Sequence, residues 1–331
     1  LCRCLRSLEY QTYPQSFLDS IVVNNDATAP LRYLEADFPT VTVVTEARSG
    51  RGAARKKGIS CARSDVVAIF DSDVLPATDC LERAMRAMKE QPASRVFVCR
   101  VDPLFRTGKS SYIERVVEWV DAVNHYNPRD CITNAGAFVT GALIVRKEVF
   151  ADCGYFSNVC PSGASEDGEW VRRVIAAGDR LTFCREAVVR RETVRRVAEL
   201  RRKMQREARG DCFLETLERS APYGVLDAVQ TEWRALRRRV RNAWTNKSMP
   251  VEYRVGVLLI SLWSSVWTLT ATLQYTDEAQ RLVRRRRREM NRAIQPSANG
   301  RTRPSRLPFH WLGSRVASRP GPKRDATRQE L

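Results

Sequence analysis

Histidine is scarce in this sequence, and cysteine lacks the spacing of a metal site. The chain has two histidines, His125 and His310, and none of its ten cysteines forms a C-x-x-C pair. Structural zinc sites are built from such residues at short spacings, so the sequence argues against one. Several cysteines lie within apolar runs such as VFVC and LTFC. Their simplest interpretation is buried, reduced thiols in a cytoplasmic protein.

An initiating methionine and a signal peptide are also missing. The sequence begins with Leu1, and its first residues read as part of a helix. We therefore expect a fragment of a longer protein, or a start site placed too late. With 331 residues, of which 43% are apolar, the chain is long enough for one large domain with appendages or for two small domains.

Excess positive charge is absent from the first part of the chain. Residues 1–190 hold 25 basic and 24 acidic residues, whereas 191–275 hold 16 and 9, and 276–331 hold 15 and 5. The formal net charge of +18 therefore comes from the C-terminal part. A uniformly basic nucleic-acid-binding protein would not show this distribution, which indicates a neutral domain with a basic appendage.

Apolar segments alternate with helical segments over the first hundred residues. Strands are predicted around Ile21–Val23, over Val41–Thr45 and Asp65–Phe70, and in the segment SRVFVCRV. Such near-continuous apolar runs are typical of a Rossmann-like, mostly parallel sheet covered by helices on both faces. Ligands bind such sheets at the carboxyl ends of the strands.

Polar residues follow two of these strands, at the ends where a ligand should bind. Asn24, Asn25 and Asp26 follow the first, and Asp71 and Asp73 follow the third. Close carboxylates repel one another unless a positive charge lies beside them. A divalent cation, Mg²⁺ or Mn²⁺, meets that need and commonly binds one or two carboxylates together with substrate phosphates. The alternative is two solvated acids in a turn.

A basic segment, SGRGAARKKG, opens a predicted helix with Arg55, Lys56 and Lys57 near its start. Gly-rich helix starts favour anions. The segment is not a dinucleotide fingerprint, because the third glycine is missing. Beside a D-x-D motif it suggests a diphosphate held by a metal and a guanidinium group, and the alternative is a solvated basic face.

A third segment, SGASEDGEW, places Glu166 and Asp167 at the start of another predicted helix. Acidic residues in a first turn suit the helix dipole, and this alone could explain them. The functional interpretation is a general base, because a carboxylate can accept the proton of an attacking hydroxyl group.

These segments give the sequence a family resemblance. CLRSLEYQTYP, SIVVNNDAT, SGRGAARKKGI, VVAIFDSDVLP, FVTGALIVRKEVFADCGYF and SEDGEWVRRVIAAGDRLTF occur in the order and at the spacing of the family 2 glycosyltransferases. Over roughly residues 1–195 the chain resembles this family, which has the GT-A nucleotide-diphospho-sugar transferase fold. The resemblance implies an inverting, single-displacement transfer from a nucleoside-diphosphate sugar to an acceptor hydroxyl group.

The resemblance also assigns roles to the donor side of the site. Asn24, Asn25 and Asp26 fall where the family contacts the nucleobase and ribose. Asp71 falls nearer the ribose, and Asp73 falls on the principal metal ligand, for Mn²⁺ or Mg²⁺.

Further positions are implied around the diphosphate and the acceptor. Arg55 falls beside the nucleotide, and Glu166-Asp167 fall on the acidic pair that supplies the catalytic base, for which Asp167 is favoured. The segment from Gly136 to Gly141 would line the acceptor side.

Two departures from the family pattern are visible. The family begins with a central apolar strand, whereas this chain begins in the following helix. The loss of that strand would leave unpaired backbone groups on both of its neighbours. The segment AVVRRE lacks the histidine that many relatives carry there. Arginine cannot ligate a metal but pairs with phosphate, so Arg190 is expected to contact the diphosphate.

The C-terminal part is predicted as three segments: a basic helical region over 196–250, a membrane-associating helix over 251–276, and a basic, largely disordered tail over 277–331. Residues 255–276 carry no charge over 22 residues, which is long enough to cross a bilayer. The segment RLVRRRRREMNR should bind anionic head groups, which keeps it cytoplasmic if the helix spans. Because that conflicts with a cytoplasmic catalytic domain on the other side of the span, an interfacial or re-entrant helix is favoured, and a helix buried in the protein is a further alternative.

The sequence thus predicts a glycosyltransferase at the cytoplasmic face of a membrane, in surface polysaccharide or glycolipid synthesis, with a saccharide, lipid or protein acceptor. Two other interpretations stay open. One is a basic nucleic-acid-binding or membrane-binding protein, although strand-end acids would repel nucleic-acid phosphates. The other is a truncated, non-catalytic relative.

Overall fold

The structure, a computed structural model, describes residues 1–294 apart from 27, 29–30, 32, 126–130, 133–140, 159–164 and 220–222. Its α-helices are α1 (Cys2–Glu9), α2 (Tyr33–Asp37), α3 (Arg51–Cys61), α4 (Cys80–Glu90), α5 (Tyr112–His125), α6 (Glu148–Cys153), α7 (Glu166–Ala176), α8 (Val197–Glu218), α9 (Val225–Thr245) and α10 (Val251–Ile294). Its strands are β1 (Ser20–Asn24), β2 (Val41–Thr45), β3 (Val66–Phe70), β4 (Val74–Pro76), β5 (Val96–Leu104), β6 (Cys131–Ile132), β7 (Ala142–Arg146) and β8 (Leu181–Glu192).

The larger sheet has the order β3-β7-β5-β8-β4, with β6 paired to the start of β8. Strands β5 and β8 are parallel, and β7 is antiparallel to both β3 and β5. Strands β3, β5 and β8 therefore run in the same direction, and their carboxyl ends lie at one edge of the sheet. This places the residues that follow β3 close to the last residues of β8.

Helices cover this sheet on both faces. One core packs α3, α6 and α7 against β3, β5 and β7, with Trp170 fully buried at its centre. The other packs α4 against residues of the same strands whose side chains point the opposite way, including Phe97 and Ile144. This layering confirms an α/β fold with helices on both faces of the sheet. Among the described strands, β1–β2 and β5–β8 pair in parallel as expected, whereas the other four pairings are antiparallel.

The first two strands form a sheet of their own. Strand β1 pairs in parallel with β2, and among the described residues neither β1 nor β3 has a second partner strand. Strands β1 and β3 therefore belong to two separate sheets. Each of these two strands keeps one open edge, as we expected for neighbours of the family's first strand.

The C-terminal helices α8, α9 and α10 pack together and against α5. Val257 and Trp267 of α10 are buried with residues of α5 and α8, and Tyr275 packs with Phe213 further along. Helix α10 continues to Ile294. Residues 277–294 are therefore helical where the sequence predicted the start of a disordered tail, and 295–331 lie outside the described residues.

A buried ion pair joins α9 to α10. The guanidinium group of Arg239 pairs with Glu232 on its own helix and donates hydrogen bonds to the hydroxyl oxygens of Ser264, at 2.9 Å, and Ser265, at 3.2 Å. Burial lowers the pKa of Arg239 and raises the pKa of Glu232, because desolvation disfavours both charged forms. Each charge therefore depends on the other.

We predict that Arg239→Ala lowers the free energy of unfolding by about 3–5 kcal/mol, because it leaves the Glu232 carboxylate buried without its partner. Arg234→Ala on the exposed side of the same helix is the matched control and should change stability by less than about 0.5 kcal/mol. Urea unfolding followed by circular dichroism measures both. Equal losses in the two variants would contradict the structural importance of the pair.

Candidate active site

The turn after β3 brings two carboxylates to the carboxyl edge of the sheet. The backbone N–H of Asp71 donates to the carbonyl oxygen of Gly141 at 2.9 Å, and that of Val74 donates to the carbonyl oxygen of Asp71 at 3.1 Å. The Asp71 side chain is 19% exposed and the Asp73 side chain 57% exposed. One carboxylate therefore faces the protein interior, and the other faces solvent.

Arg55 of α3 lies between two acidic residues. Its guanidinium group donates to Asp71 Oδ1 at 3.0 Å and to Glu166 Oε1 at 2.7 Å, and the centre of the Phe156 ring lies 5.1 Å away. Burial acts to lower the pKa of Arg55, but the charges of Asp71, Glu166 and Asp167 offset it and raise the pKa. The arginine is thus held charged at a nearly buried position.

A second arginine, Arg191 near the end of β8, contacts both acids of the D-x-D motif. Its Nε and one terminal nitrogen donate to Asp73 Oδ2 at 3.1 and 2.8 Å, and the same terminal nitrogen lies 3.9 Å from Asp71 Oδ2. Burial acts to raise the pKa of Asp71, but Arg55 and Arg191 hold it below its usual value. The charges alternate from Asp73 through Arg191, Asp71 and Arg55 to Glu166.

Asp167 lies in the first turn of α7, directly after Glu166. The backbone N–H of Gly168 donates to Asp167 Oδ1 at 2.7 Å. Burial and the neighbouring Glu166 charge raise the pKa of Asp167 to about 6, against the opposing effect of Arg55. Such a carboxyl group changes protonation near neutral pH, as a general base requires. The neighbouring Glu166 is 3% exposed and engaged with Arg55.

The polar residues after β1 shape a loop. The Asn25 side chain donates to the backbone carbonyl oxygens of Glu46 and Arg48, at 2.8 and 2.7 Å, and accepts from the Gly50 N–H at 2.9 Å. Its hydrogen bonds thus fix the loop before α3 rather than point outward. Asn25 thus positions this loop, and the nucleobase contact expected of it stays a prediction.

The neighbours of Asn25 form a local turn. Asn24 Oδ1 accepts from the Asp26 backbone N–H at 3.0 Å, and Asp26 Oδ1 accepts from the backbone N–H and the hydroxyl group of Thr28 at 2.9 and 2.7 Å. These two bonds from Thr28 lower the pKa of the exposed Asp26. Both side chains stay at the carboxyl end of β1, where the sequence predicted a nucleobase and ribose site.

Asn158, which the sequence analysis did not select, fixes the start of α3. Its Oδ1 accepts from the Ala53 backbone N–H at 2.8 Å. Gly50 has φ +124°, a conformation that favours glycine. A Cβ atom at Gly52 would lie 2.5 Å from the Ser157 carbonyl oxygen, so the two segments approach too closely for any side chain. This close approach positions Arg55 one turn later.

Arg191, rather than Arg190, is the arginine of β8 that faces the D-x-D acids. Arg190 is exposed and lies one residue before it on β8. Adjacent side chains on a strand point to opposite faces of a sheet, so only one of the two can reach the acids. Arg191 is therefore the residue of this pair that contacts Asp73 and Asp71, and the diphosphate contact expected for Arg190 stays a prediction.

Within the described residues, no group of three or more His, Cys, Asp or Glu side chains is arranged to hold a metal ion. A divalent cation would depend on Asp73 and Asp71 and on oxygen atoms of the substrate. Asp73 suits this role because it is half-exposed and faces the cleft. Magnesium and manganese sites of this composition are common in enzymes that bind substrate phosphates.

A cleft of about 870 Å³ opens beside Asp73. Its lining includes the start of α1, the end of β8 and the starts of α5 and α8. The lining residues are Leu1, Cys2, Arg3, Ser72, Asp73, Leu75, Arg106, Glu114, Glu192, Thr193, Val194, Arg195, Arg196 and Glu199. Of the predicted acceptor segment, 136–140 lie outside the described residues, and Gly141 packs against the Asp71 carboxylate.

Three comparisons relate the chain to known proteins. Residues 1–154 match the model of the family described as Glycosyl transferase family 2. Glycosyltransferase AglE of Haloferax volcanii is 27% identical over 222 residues, which cover 66% of this chain and 70% of that protein.

The solved structures resemble the chain in fold. Mannosyltransferase PcManGT from Pyrobaculum calidifontis, in complex with GDP-Man and Mn²⁺, has a TM-score of 0.51 and 17% identity, covering 81% of this chain and 80% of its own. S. aureus TarS 1–349 in complex with UDP has a TM-score of 0.46 and 15% identity, covering 89% and 88%. At 17% identity, the likeness to PcManGT shows the fold alone. The family 2 match over residues 1–154 and the similarity to AglE together support a glycosyltransferase, and the likeness to PcManGT shows a shared fold.

Proposed function

We propose that the protein transfers a sugar from a nucleoside-diphosphate sugar to an acceptor hydroxyl group, with inversion and with a divalent cation. The observation that carries this proposal is the alternating series of charges at one edge of the sheet, which ends at Glu166 beside Asp167. The complex of PcManGT with GDP-Man and Mn²⁺ supports a donor of this class.

The donor diphosphate would bind at the D-x-D turn. Asp73 and Asp71 would hold Mn²⁺ or Mg²⁺, which when bound neutralises charge on the leaving diphosphate. Arg191 would turn from Asp73 to a phosphate oxygen, and Arg55 would keep Asp71 and the α7 turn in place. Arginine suits the first role because its planar fork matches phosphate geometry.

Asp167 would act as the general base. Its ionised carboxylate accepts the proton of the acceptor hydroxyl group, whose oxygen attacks the anomeric carbon while the bond to the diphosphate oxygen breaks on the opposite side. The raised pKa, about 6, makes Asp167 a stronger base than a solvated aspartate. Glu166 would contribute by its charge and by holding Arg55.

We further propose that the protein works at the cytoplasmic face of a membrane, in surface polysaccharide or glycolipid synthesis. Helix α10 supports a membrane site, because Val251–Arg285 is long and apolar enough to span a bilayer by length and composition.

A screen of nucleoside-diphosphate sugars against acceptors of each class tests the proposed reaction, with hydrolysis and transfer measured with and without Mn²⁺. Absence of turnover with every donor and acceptor class would contradict the proposed reaction.

We predict that Asp167→Asn lowers kcat by about 10²–10⁴-fold while the donor still binds, because only the proton acceptor is lost. Steady-state kinetics and isothermal titration with the donor measure the two effects. Asp37→Asn, at an exposed position on α2, is the matched control and should leave both unchanged. Unaltered turnover in Asp167→Asn would remove this residue from the reaction.

The pH dependence provides an independent test of the base. Because Asp167 must be ionised, kcat/KM should fall as the pH is lowered through about 6. In Glu166→Gln a neighbouring negative charge is removed, so the pKa of Asp167 should fall and the acidic limb should move to lower pH. A limb that moves to higher pH, or does not move, would contradict the assignment.

The metal requirement is predicted to depend on Asp73. Asp73→Asn should raise the Mn²⁺ concentration needed for half-maximal activity by about tenfold or more. Loss of a residue that only supports a metal ligand already lowers metal affinity by about tenfold or more. Asp79→Asn, which leaves the D-x-D turn intact, is the control. Activity that is insensitive to chelation in the unaltered protein would instead show that turnover proceeds without a divalent cation.

A further inference from the structure

Helix α9 carries an exposed apolar stripe. Leu226 is 78%, Trp233 59% and Trp244 60% exposed, and Val229 and Val240 are exposed between them. These residues recur at intervals of three, four and seven, so they share one face of the helix. Two exposed tryptophans on one face of a charged helix are unusual for a surface that meets water alone.

Helix α10 carries a second stripe of the same kind. Its exposed residues are Val251, Val255, Leu259, Leu262, Trp263, Val266 and Leu273. They extend over 23 residues, a rise of about 33 Å along the helix, which is also the length that would cross a bilayer. Length alone therefore does not distinguish a helix that spans the bilayer from one that lies along it.

The opposite face of α10 is already occupied by the protein. Val257, Ser261, Ser264 and Trp267 are buried against α5, α8 and α9, and Tyr275 is buried further along. The Arg239–Glu232 pair reaches the middle of this face through Ser264 and Ser265. To span a bilayer, α10 would have to leave this core or carry a buried ion pair into lipid, and both are costly.

The two apolar stripes lie on the same side of the helix pair. Arg239 of α9 contacts Ser265 of α10, and the next residue on each helix, Val240 and Val266, is apolar and exposed. Successive side chains point about 100° apart around the helix axis, always in the same rotational direction along the chain. The five-residue connection 246–250 makes the helices antiparallel neighbours, so this rotation brings both stripes to one side of the pair.

Basic residues border this surface. Arg237 and Arg241 are exposed one and two turns after Trp233 on α9. On α10 the apolar stripe ends at Leu273, and Arg281, Arg284 and Arg288 continue its direction as exposed basic residues. Apolar side chains flanked by arginines complement the acyl boundary and the anionic head groups of a bilayer.

We propose that the joint apolar surface of α9 and α10 docks flat on an anionic lipid bilayer, so that α10 lies in the interface and does not cross it. This deepens the membrane site of the proposed function and rests on it. Because the two stripes are coplanar and rimmed by arginines, insertion to the depth of the side chains leaves the Arg239–Glu232 pair and the α5–α8–α10 core intact.

The docked orientation would bring the catalytic cleft close to the membrane. Tyr112 at the start of α5 donates a hydrogen bond to the Glu252 carbonyl oxygen at 2.7 Å, next to the first residues of the α10 stripe. Glu114, two residues later, lines the cleft beside Asp73. An acceptor presented at the membrane surface would therefore meet the cleft from its α5 side.

Vesicle flotation with the full chain tests the docking. The protein should float with phosphatidylglycerol-containing vesicles and much less with pure phosphatidylcholine vesicles. The double variant Trp233→Ser/Trp244→Ser should reduce binding by about tenfold or more, whereas Phe17→Ser, an equally exposed aromatic far from the two helices, should not. Equal binding by both variants, or a dimer in solution that binds no vesicles, would overturn the proposal.

Alkaline carbonate extraction of membranes from expressing cells separates the two orientations. A helix lying in the interface should be released into the supernatant, and a spanning helix would stay with the pellet and contradict the proposal. Asp167→Asn should float normally, and the tryptophan variant should keep donor binding and its circular dichroism spectrum. Failure of docking is therefore distinguishable from failure of the proposed reaction and from misfolding.

Discussion

The arrangement of the active site depends on the buried guanidinium group of Arg55. It holds Asp71, at the end of β3, and Glu166, at the start of α7, with hydrogen bonds of 3.0 and 2.7 Å. Without that charge, two nearly buried carboxylates would repel each other, and one would have to be protonated. The same arginine lies against Phe156, so the ion pairs and the aromatic core around Trp170 are physically continuous.

The location of this site could be predicted from the sequence, but its connections could not. The strand-end acids meet Arg191 because β3 and β8 end at the same edge of one sheet, and Arg55 of α3 links Asp71 to Glu166. The choice between Arg190 and Arg191 depends on which residues of β8 face which side of the sheet. Because the preceding Val188 and Val189 are both apolar, the sequence does not show where the alternation begins. Likewise, an asparagine such as Asn25 looks the same in sequence whether it contacts a ligand or a loop carbonyl.

The C-terminal helix shows a second limit of the same kind. An uncharged run of 22 residues predicts contact with an apolar environment, either the protein core or lipid. It does not show which face of the helix meets which environment. In the structure one face of α10 meets α5, α8 and α9, and the other meets no element among the described residues. Ser261 and Ser264, which lie within this uncharged run, belong to the buried face, where Ser264 accepts a hydrogen bond from Arg239.

The two arginine–aspartate contacts of the site differ in a way that bears on donor binding. Arg55 and Asp71 are largely withdrawn from water, so separating them would leave each charge buried without a partner. Asp73 is 57% exposed, and its pairing with Arg191 is therefore screened and weak. In the proposed function, an incoming cation and diphosphate would replace that outer pair at little cost, with the cation on Asp73 and the phosphate on Arg191. The inner pair would then act as the fixed support against which the donor is positioned.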